Sequence, residues 1–225
     1  GVFKDTLKLQ DLMLIDLSGD PIGFIIKLNS NGEILWYKVL TASLPDLSRI
    51  QGMTIDNQNN IWITAVNNFQ DSFIKKFNVS GDEVQSLLQT NVLSISGIDV
   101  DNSGNIFVAG ATSNDNQSFN GFNIIPPHDY NMYVVKYNSS GIAAWVRFVE
   151  DITFQEFAIT SDAFGNAYFS GRLFNATTFG NISVEGPNWV YDFFLAKINS
   201  AGEFVWVREA PNGAITGDAG PGNAN

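Results

Sequence analysis

The fold is decided by a phrase that first reads Phe24-Ile-Ile-Lys27-Leu-Asn29-Ser-Asn-Gly32 and then returns three times. It is a short apolar run ending in Lys, followed by one apolar residue, Asn, two variable residues and Gly. The four copies occupy residues 24–32, 73–81, 133–141 and 194–202. Their asparagines recur at intervals of 49, 60 and 61 residues. A strand–turn–strand unit with this period is typical of a β-propeller or a related array of small sheets.

A second phrase precedes each of the last three copies. It contains Asp, then Asn four residues later, then an aromatic residue two further on, and the copies begin at Asp56, Asp101 and Asp162. Apolar residues alternate on both sides, which predicts two strands, a and b, joined by a tight hairpin. The first phrase then supplies strands c and d. Each unit is therefore predicted to be a four-stranded antiparallel meander. Strand d carries Trp36, Trp145 and Trp206, with Gln85 in the second copy.

The fourth unit carries a longer pattern at Asp162, Gly165, Asn166, Tyr168, Gly171, Phe179, Gly180, Asp192, Phe194, Ala196, Lys197, Gly202 and Trp206. This pattern resembles the repeat of the bacterial and archaeal "seven-bladed β-propeller" family (SBBP-type repeats). The resemblance covers about residues 11 to 210. It implies a propeller fold and an extracellular or cell-surface setting. The family shares no catalytic residues, so the resemblance assigns no active site.

We expect a single all-β propeller domain, or part of one, over residues 1–225, with four blades visible. The expected blades are about 1–45, 46–92, 93–150 and 151–210, and a tail at 211–225 starts a further strand. Blade 1 lacks the Asp/Asn phrase, and residues 12–15 are expected to be its strand b. The tail has three alternatives: it completes blade 1, it adds to a neighbouring subunit by strand addition, or more blades lie outside this sequence.

Composition excludes several classes of function. The net charge is −11, and the 12 Lys and Arg residues are scattered, so we expect no nucleic-acid partner. No run approaches the roughly 18 apolar residues of a membrane helix, so we expect no membrane insertion. The chain has no cysteine and therefore no disulfide. No cofactor is expected.

Oxygen-bearing side chains alternate along one predicted turn, at Asp99, Asp101, Ser103 and Asn105. Calcium loops alternate their ligands in this way. No bidentate Glu follows, however, and the counterparts of Asp101 in the other units lack the extra oxygens. We therefore expect Asp101 to close a β-turn, with metal binding as the weaker interpretation.

Two further kinds of residue have a structural interpretation. The repeated lysines, Lys27, Lys76, Lys136 and Lys197, either line a channel or pack their stems between blades, and repetition in every blade favours packing. The single histidine, His128, follows two prolines and is expected in an exposed loop. No spacing gives it the partners of a catalytic triad.

The links between strands b and c in blades 3 and 4 are long and contain aromatic residues. We expect them to extend strands b and c, and they supply the candidate ligand-binding residues Phe122, Tyr130, Trp189, Tyr191 and Asp192. An indole and a phenol ring beside an acid can stack on a sugar and bond its hydroxyls, although packing between blades is the favoured role. Asn-x-Ser/Thr sequons for N-glycosylation occur at Asn78, Asn116, Asn138, Asn175 and Asn181.

These features favour a non-enzymatic, extracellular or cell-surface propeller module for adhesion, assembly or scaffolding. Its partner is expected to be a protein, or a second copy met through the terminal strands. The first alternative is a carbohydrate-binding propeller that uses the long b–c links. The second is a propeller-type lyase or glycosidase with paired acids at loop ends.

Overall fold

The computed structural model describes residues 1–17, 19, 21–40, 47–67, 71–92, 94–150, 157–186 and 192–210. We number the four sequence units as repeats 1 to 4. Repeat 1 contains β1 (Val2–Phe3), β2 (Thr6–Leu9), β3 (Leu12–Ile15), β4 (Ile22–Leu28) and β5 (Ile34–Val39). Repeat 2 contains β6 (Leu47–Ile55), β7 (Ile61–Asn67), β8 (Ser72–Phe77) and β9 (Glu83–Thr90).

Repeats 3 and 4 are longer than repeat 2 by one hairpin each. Repeat 3 contains β10 (Ser94–Val100), β11 (Ile106–Ser113), β12 (Gln117–Phe119), β13 (Phe122–Ile124), β14 (Tyr130–Tyr137) and β15 (Ala143–Glu150). Repeat 4 contains β16 (Ala158–Ser161), β17 (Ala167–Leu173), β18 (Thr177–Phe179), β19 (Ile182–Val184), β20 (Asp192–Ile198) and β21 (Phe204–Ala210). The described residues thus form an all-β protein. They contain no helix long and apolar enough to cross a membrane.

Three repeats form the predicted antiparallel meander. The strand orders are β6-β7-β8-β9, β10-β11-β14-β15 and β16-β17-β20-β21, while repeat 1 forms the three-stranded sheet β1-β4-β5. The register places the repeated Lys opposite the strand-d residue each time. Lys136 pairs with Trp145 and Lys197 with Trp206, and in repeat 2 Lys76 pairs with Gln85.

The first strand of repeat 1 differs from its prediction. Strand b was expected at residues 12–15, but β3 pairs with β2 as a separate hairpin, and β1 pairs with β4 in the sheet. Both β1 and β3 are short and apolar, so the hydrophobic period alone does not show which of them is strand b. The hairpin β2–β3 lies between strands b and c, where repeats 3 and 4 carry theirs.

The long b–c links also differ from their prediction. They do not extend strands b and c, because β11 ends at Ser113 and β14 begins at Tyr130, with the hairpin β12–β13 between them. Strand β12 pairs instead with β9 of repeat 2, through Ser118 opposite Thr90 and Phe119 opposite Gln89. In repeat 4 the hairpin β18–β19 contacts β15 of repeat 3, where the Thr177 hydroxyl donates to the Glu150 carbonyl over 2.9 Å. Each hairpin therefore joins its own repeat to strand d of the preceding repeat.

Apolar side chains fill the spaces between successive sheets. One cluster joins repeats 1 and 2 around Ile25 and Ile63, a second joins repeats 2 and 3, and a third joins repeats 3 and 4 around Phe107 and Phe194. A fourth cluster belongs to repeat 1 alone. Among the described residues, no cluster joins repeat 4 to repeat 1. The described sheets thus pack in the order of the sequence, repeat 1 on repeat 2, repeat 2 on repeat 3 and repeat 3 on repeat 4.

Strands a of successive repeats approach very closely. A Cβ on Gly97 would lie 2.9 Å from the Phe157 carbonyl oxygen and 3.1 Å from the Ile159 amide nitrogen. Gly52 meets the backbone of Ser96 in the same way. Glycine is required at these positions because any side chain would separate the neighbouring backbones.

Candidate functional site

The a–b turns are organised by the repeated aspartates. In repeat 2, the Asp56 carboxylate accepts backbone bonds from Gln58 and Asn60 and side-chain bonds from Asn60 and the Trp62 indole, all within 3.1 Å. The Lys76 ammonium lies 3.2 Å from the same carboxylate and 4.9 Å from the Trp62 ring centre. Burial alone would raise the pKa of Asp56, but these hydrogen bonds and the lysine lower it to about 2.

The same turn recurs in repeats 3 and 4. The Asp162 carboxylate accepts from the backbone and side chain of Asn166 and from the Tyr168 hydroxyl, and these bonds lower the pKa of Asp162. Lys136 lies 5.0 Å from the Phe107 ring and donates to the Gly165 carbonyl of the next repeat. The conformation of this lysine agrees with the predicted packing role, because its ammonium bonds to a neighbouring turn.

The weak metal candidates are occupied by hydrogen bonds. Asp101 accepts from the Ser103 amide and from the amide and side chain of Asn105, at 2.8–2.9 Å. Asp99 accepts from the amide and hydroxyl of Ser161 in repeat 4, at 2.6 and 2.7 Å. These aspartates line a cleft of about 290 Å³ together with Asp162. In the described part of the chain, no group of three or more His, Cys, Asp or Glu is arranged to hold a metal.

The candidate ligand-binding residues do not form one group. Phe122 on β13 and Tyr130 at the start of β14 are 42% and 46% exposed. Asp192 is buried at the start of β20. Trp189 and Tyr191 lie outside the described residues. Phe119 is the last residue of β12 and Phe179 is the last residue of β18. Both rings are fully buried between repeats.

The sequons differ in how their side chains are used. The Asn78 and Asn138 carboxamides each accept two backbone bonds that close the c–d turns. Asn175 is half-buried, whereas Asn116 and Asn181 are exposed on the two hairpins. Exposed hairpin positions therefore offer the more accessible carboxamides.

His128 lies beside Glu150 at a second cleft, of about 340 Å³, which Thr177 and Val184 also line. Its Nδ1 is 3.8 Å from the Glu150 carboxylate, and both side chains are more than one-third exposed. The cleft lies where the hairpin of repeat 4 contacts repeat 3. This arrangement agrees with the expected exposed position.

Sequence reasoning missed one acidic pair. Glu209 on β21 lies near Asp192, and burial together with a hydrogen bond and charge repulsion from Asp192 raises the pKa of Glu209. The equivalent position in repeat 3 is Phe148. The sequence feature that could have revealed this pair is the glutamate itself, because repeat 3 has an aromatic residue at the same position.

Strand d of repeats 1, 2 and 3 contacts the c–d turn of the following repeat. This is the most regular contact between the described repeats. The Trp36 indole donates to the Val79 carbonyl over 3.0 Å, and the Trp145 indole donates to the Ser200 carbonyl over 3.1 Å. Arg147 lies over the Trp145 ring and donates to the Gly202 carbonyl over 2.5 Å.

The residue two positions after Trp36 adds an ion pair to the same contact. Lys38 lies 3.6 Å from Asp82, the acid that directly follows the turn glycine of repeat 2. We call this combination of Trp, a cation two residues later and the receiving turn the Trp–turn contact. In repeat 2, Gln85 and Leu87 replace the indole against Gly141.

Among the described residues, no other repeat packs on the outer face of repeat 4 or on the outer face of repeat 1, and we call these the two end faces. On the repeat 4 end face, Trp206 and Arg208 have the spacing of Trp145 and Arg147, and Arg208 lies 5.9 Å from the Trp206 ring centre. Phe193 there is 49% exposed, whereas Met132, its equivalent in repeat 3, is fully buried.

The repeat 1 end face shows the same contrast. Leu28 is 48% exposed and its equivalent Tyr137 is fully buried. A Cβ on Gly32 would meet no atom within 4 Å. Phe193 and Leu28 are therefore about half exposed at positions that are fully buried in repeat 3.

The chain matches none of the family models and none of the curated proteins with which it was compared. No function of a matching protein can therefore be compared with this fold, and the resemblance to the SBBP-type repeat stays a prediction.

Proposed function

We propose that the protein is a non-enzymatic β-propeller module that serves assembly, adhesion or scaffolding in an extracellular or cell-surface setting. The observation that carries this proposal is the repeated Trp–turn contact between successive repeats. The most regular contacts of the chain join one sheet to another, and the half-exposed apolar residues Phe193 and Leu28 favour a protein partner.

The propeller itself is part of the proposal. Its support is the sheet topology: consecutive four-stranded meanders pack face to face, and their first strands β6, β10 and β16 lie next to one another. Blades of a propeller place their first strands around a common axis in this way. Small-angle scattering tests it, since a ring-shaped assembly with a central channel differs from an extended row.

The function is tested by two measurements on the purified protein. A panel of polysaccharide, ester and peptide substrates should show no turnover, and titration onto cell-surface or matrix proteins, or onto itself, should show saturable association. Turnover that disappears in the variant Glu209→Gln would contradict the proposal. That result would favour the lyase or glycosidase alternative, in which Glu209 and Asp192 act as the acid pair.

Carbohydrate binding is a second candidate. The exposed rings of Phe122 and Tyr130 favour it, because aromatic faces stack on sugar rings. Glycan-array binding that Phe122→Ala abolishes would support it. An array that stays silent with the wild-type protein would contradict it.

A further inference from the structure

We propose that the cleft between repeats 3 and 4 binds one uncharged sugar unit of a glycan. The cleft has a volume of about 340 Å³ and lies between the hairpin β18–β19 and the neighbouring side chains of His128 and Glu150. We call it the junction cleft. The inference goes beyond assembly. It rests on the carbohydrate-binding candidate, for which it names a site and a class of sugar.

The junction cleft is open because the hairpins of repeats 3 and 4 meet the preceding repeat differently. Between repeats 2 and 3, β12 adds directly to β9 through two ladder pairs. Between repeats 3 and 4, the described strands β18 and β19 form a two-stranded sheet of their own. The Thr177 hydroxyl bridges the gap instead, donating to the Glu150 carbonyl over 2.9 Å. Because a side chain separates the two backbones, space remains between them.

Groups that form hydrogen bonds line both sides of the junction cleft. The hydroxyls of Thr178 and Ser183 lie opposite each other in the hairpin, 3.4 Å apart, and both residues are exposed. On the other side, the Glu150 carboxylate lies 3.8 Å from the His128 imidazole, and both side chains are more than one-third exposed. The cleft therefore offers two hydroxyls, a carboxylate and an imidazole to a ligand.

This set of groups fits the hydroxyls of a sugar. A carboxylate has two oxygens and can accept from two neighbouring hydroxyls, while a serine or threonine hydroxyl both donates and accepts. Ala176 and Val184 also line the cleft and can contact the C–H groups of the ring. The volume of about 340 Å³ is at the lower end of the range for small-molecule sites. It therefore favours one sugar unit over a longer segment.

Other ligands fit the junction cleft less well. An extended peptide would need a spacing of about 4.8 Å from the strand on each side, whereas the Thr177 hydroxyl already reaches the Glu150 carbonyl. An apolar ligand would bury the carboxylate and the hydroxyls without partners. An acidic sugar would bring a second negative charge to Glu150, in a chain whose net charge is −11.

The test is a titration of the intact protein with the methyl glycosides of glucose, galactose and mannose, followed by ligand-observed NMR. At least one glycoside should bind. Glu150→Gln should raise its dissociation constant about tenfold and Ser183→Ala about fivefold, because each removes an acceptor or a donor for a sugar hydroxyl. Glucuronic acid should bind the wild type more weakly than methyl glucoside, and Glu150→Gln should reduce that difference.

The matched control is Asn123→Ala. Asn123 occupies the position of Ser183 in the other hairpin, opposite Ser118 as Ser183 is opposite Thr178, and it is likewise exposed. There β12 pairs directly with β9, so this substitution should leave the affinity unchanged. Thermal unfolding verifies the fold of each variant. Because Ser183 is exposed, its hydroxyl can be removed without creating a cavity.

Binding that neither Glu150→Gln nor Ser183→Ala weakens, or binding that Phe122→Ala abolishes, would overturn the junction cleft and leave carbohydrate binding intact. Failure of all three methyl glycosides to bind would also overturn it, and a silent glycan array would then contradict carbohydrate binding as well. A cleft that takes ethylammonium in place of every glycoside would overturn the assignment to a sugar. None of these results alters the proposed assembly function, so the failures are distinguishable.

Discussion

Replacement of Asp56 by Asn tests whether the repeated a–b turn stabilises the fold through its charge. The carboxylate of Asp56 is nearly fully buried and accepts from five donors, among them the Trp62 indole and the Lys76 ammonium. An amide of the same shape has one acceptor oxygen, so at least one buried donor loses its partner. Leaving a buried group or charge unpaired costs about 2–4 kcal/mol, and we expect that loss at pH 7.

The pH dependence gives a second measure of how much the Asp56 carboxylate stabilises the fold. The pKa of Asp56 is lowered from 3.8 to about 2, which corresponds to about 2 kcal/mol of stability. A lowered pKa contributes its full stability above the unfolded value, near pH 4, and loses it as the pH falls through the folded value near 2. The difference in unfolding free energy between wild type and Asp56→Asn should therefore shrink by about 2 kcal/mol between pH 6 and pH 2.

Urea denaturation followed by tryptophan fluorescence and circular dichroism measures this difference at each pH. The matched control is Asp82→Asn, since Asp82 is an exposed acid whose ion pair with Lys38 should be worth less than about 0.5 kcal/mol. If the difference in unfolding free energy between wild type and Asp56→Asn is the same at pH 6 and pH 2, the charge of Asp56 is not the source of stability. Equal effects of the two substitutions would refute the role of burial.

Three further outcomes are expected. Glu209→Gln should stabilise the protein at neutral pH, because a raised pKa favours the fold below the unfolded value near 4.5 and costs stability as the pH rises above it; denaturation at pH 4 and 7 measures the change. Phe179→Ala should destabilise by about 3–5 kcal/mol in urea titration, since its ring is fully buried between two phenylalanines. Gly97→Ala should lower the midpoint of thermal unfolding, with a cost of about 1–3 kcal/mol, because its methyl group would press on the Phe157 carbonyl.

The period of the apolar residues predicted the strands and their pairing. Alternation over four to eight residues, ended by an Asp/Asn or Asn/Gly turn, requires only local information. The observed register follows from the turns, since Asn138 and Gly141 fix how β14 and β15 align, and Lys136 then falls opposite Trp145. Repetition of one turn gave the same register in each repeat.

The hairpins between strands b and c were outside the reach of such reasoning. β12 and β18 are three residues long, too short for a period, and β12 bonds to a strand of the preceding repeat. The composition of these links showed that aromatic residues are present, but not that Phe119 and Phe179 are enclosed while Phe122 is exposed. That distinction depends on which sheet the hairpin adds to.

The role of a repeated residue depends on its place in the row. Trp145 is buried because repeat 4 covers it, whereas Trp206, which is also followed by valine and arginine, is half-buried. The sequence therefore favours an architectural role for every strand-d tryptophan, and the extent of its burial depends on the turn that packs against it. Each interface between neighbouring repeats thus contributes to the stability of the array, because the indole, the hydrogen bonds and the charges recur from repeat to repeat.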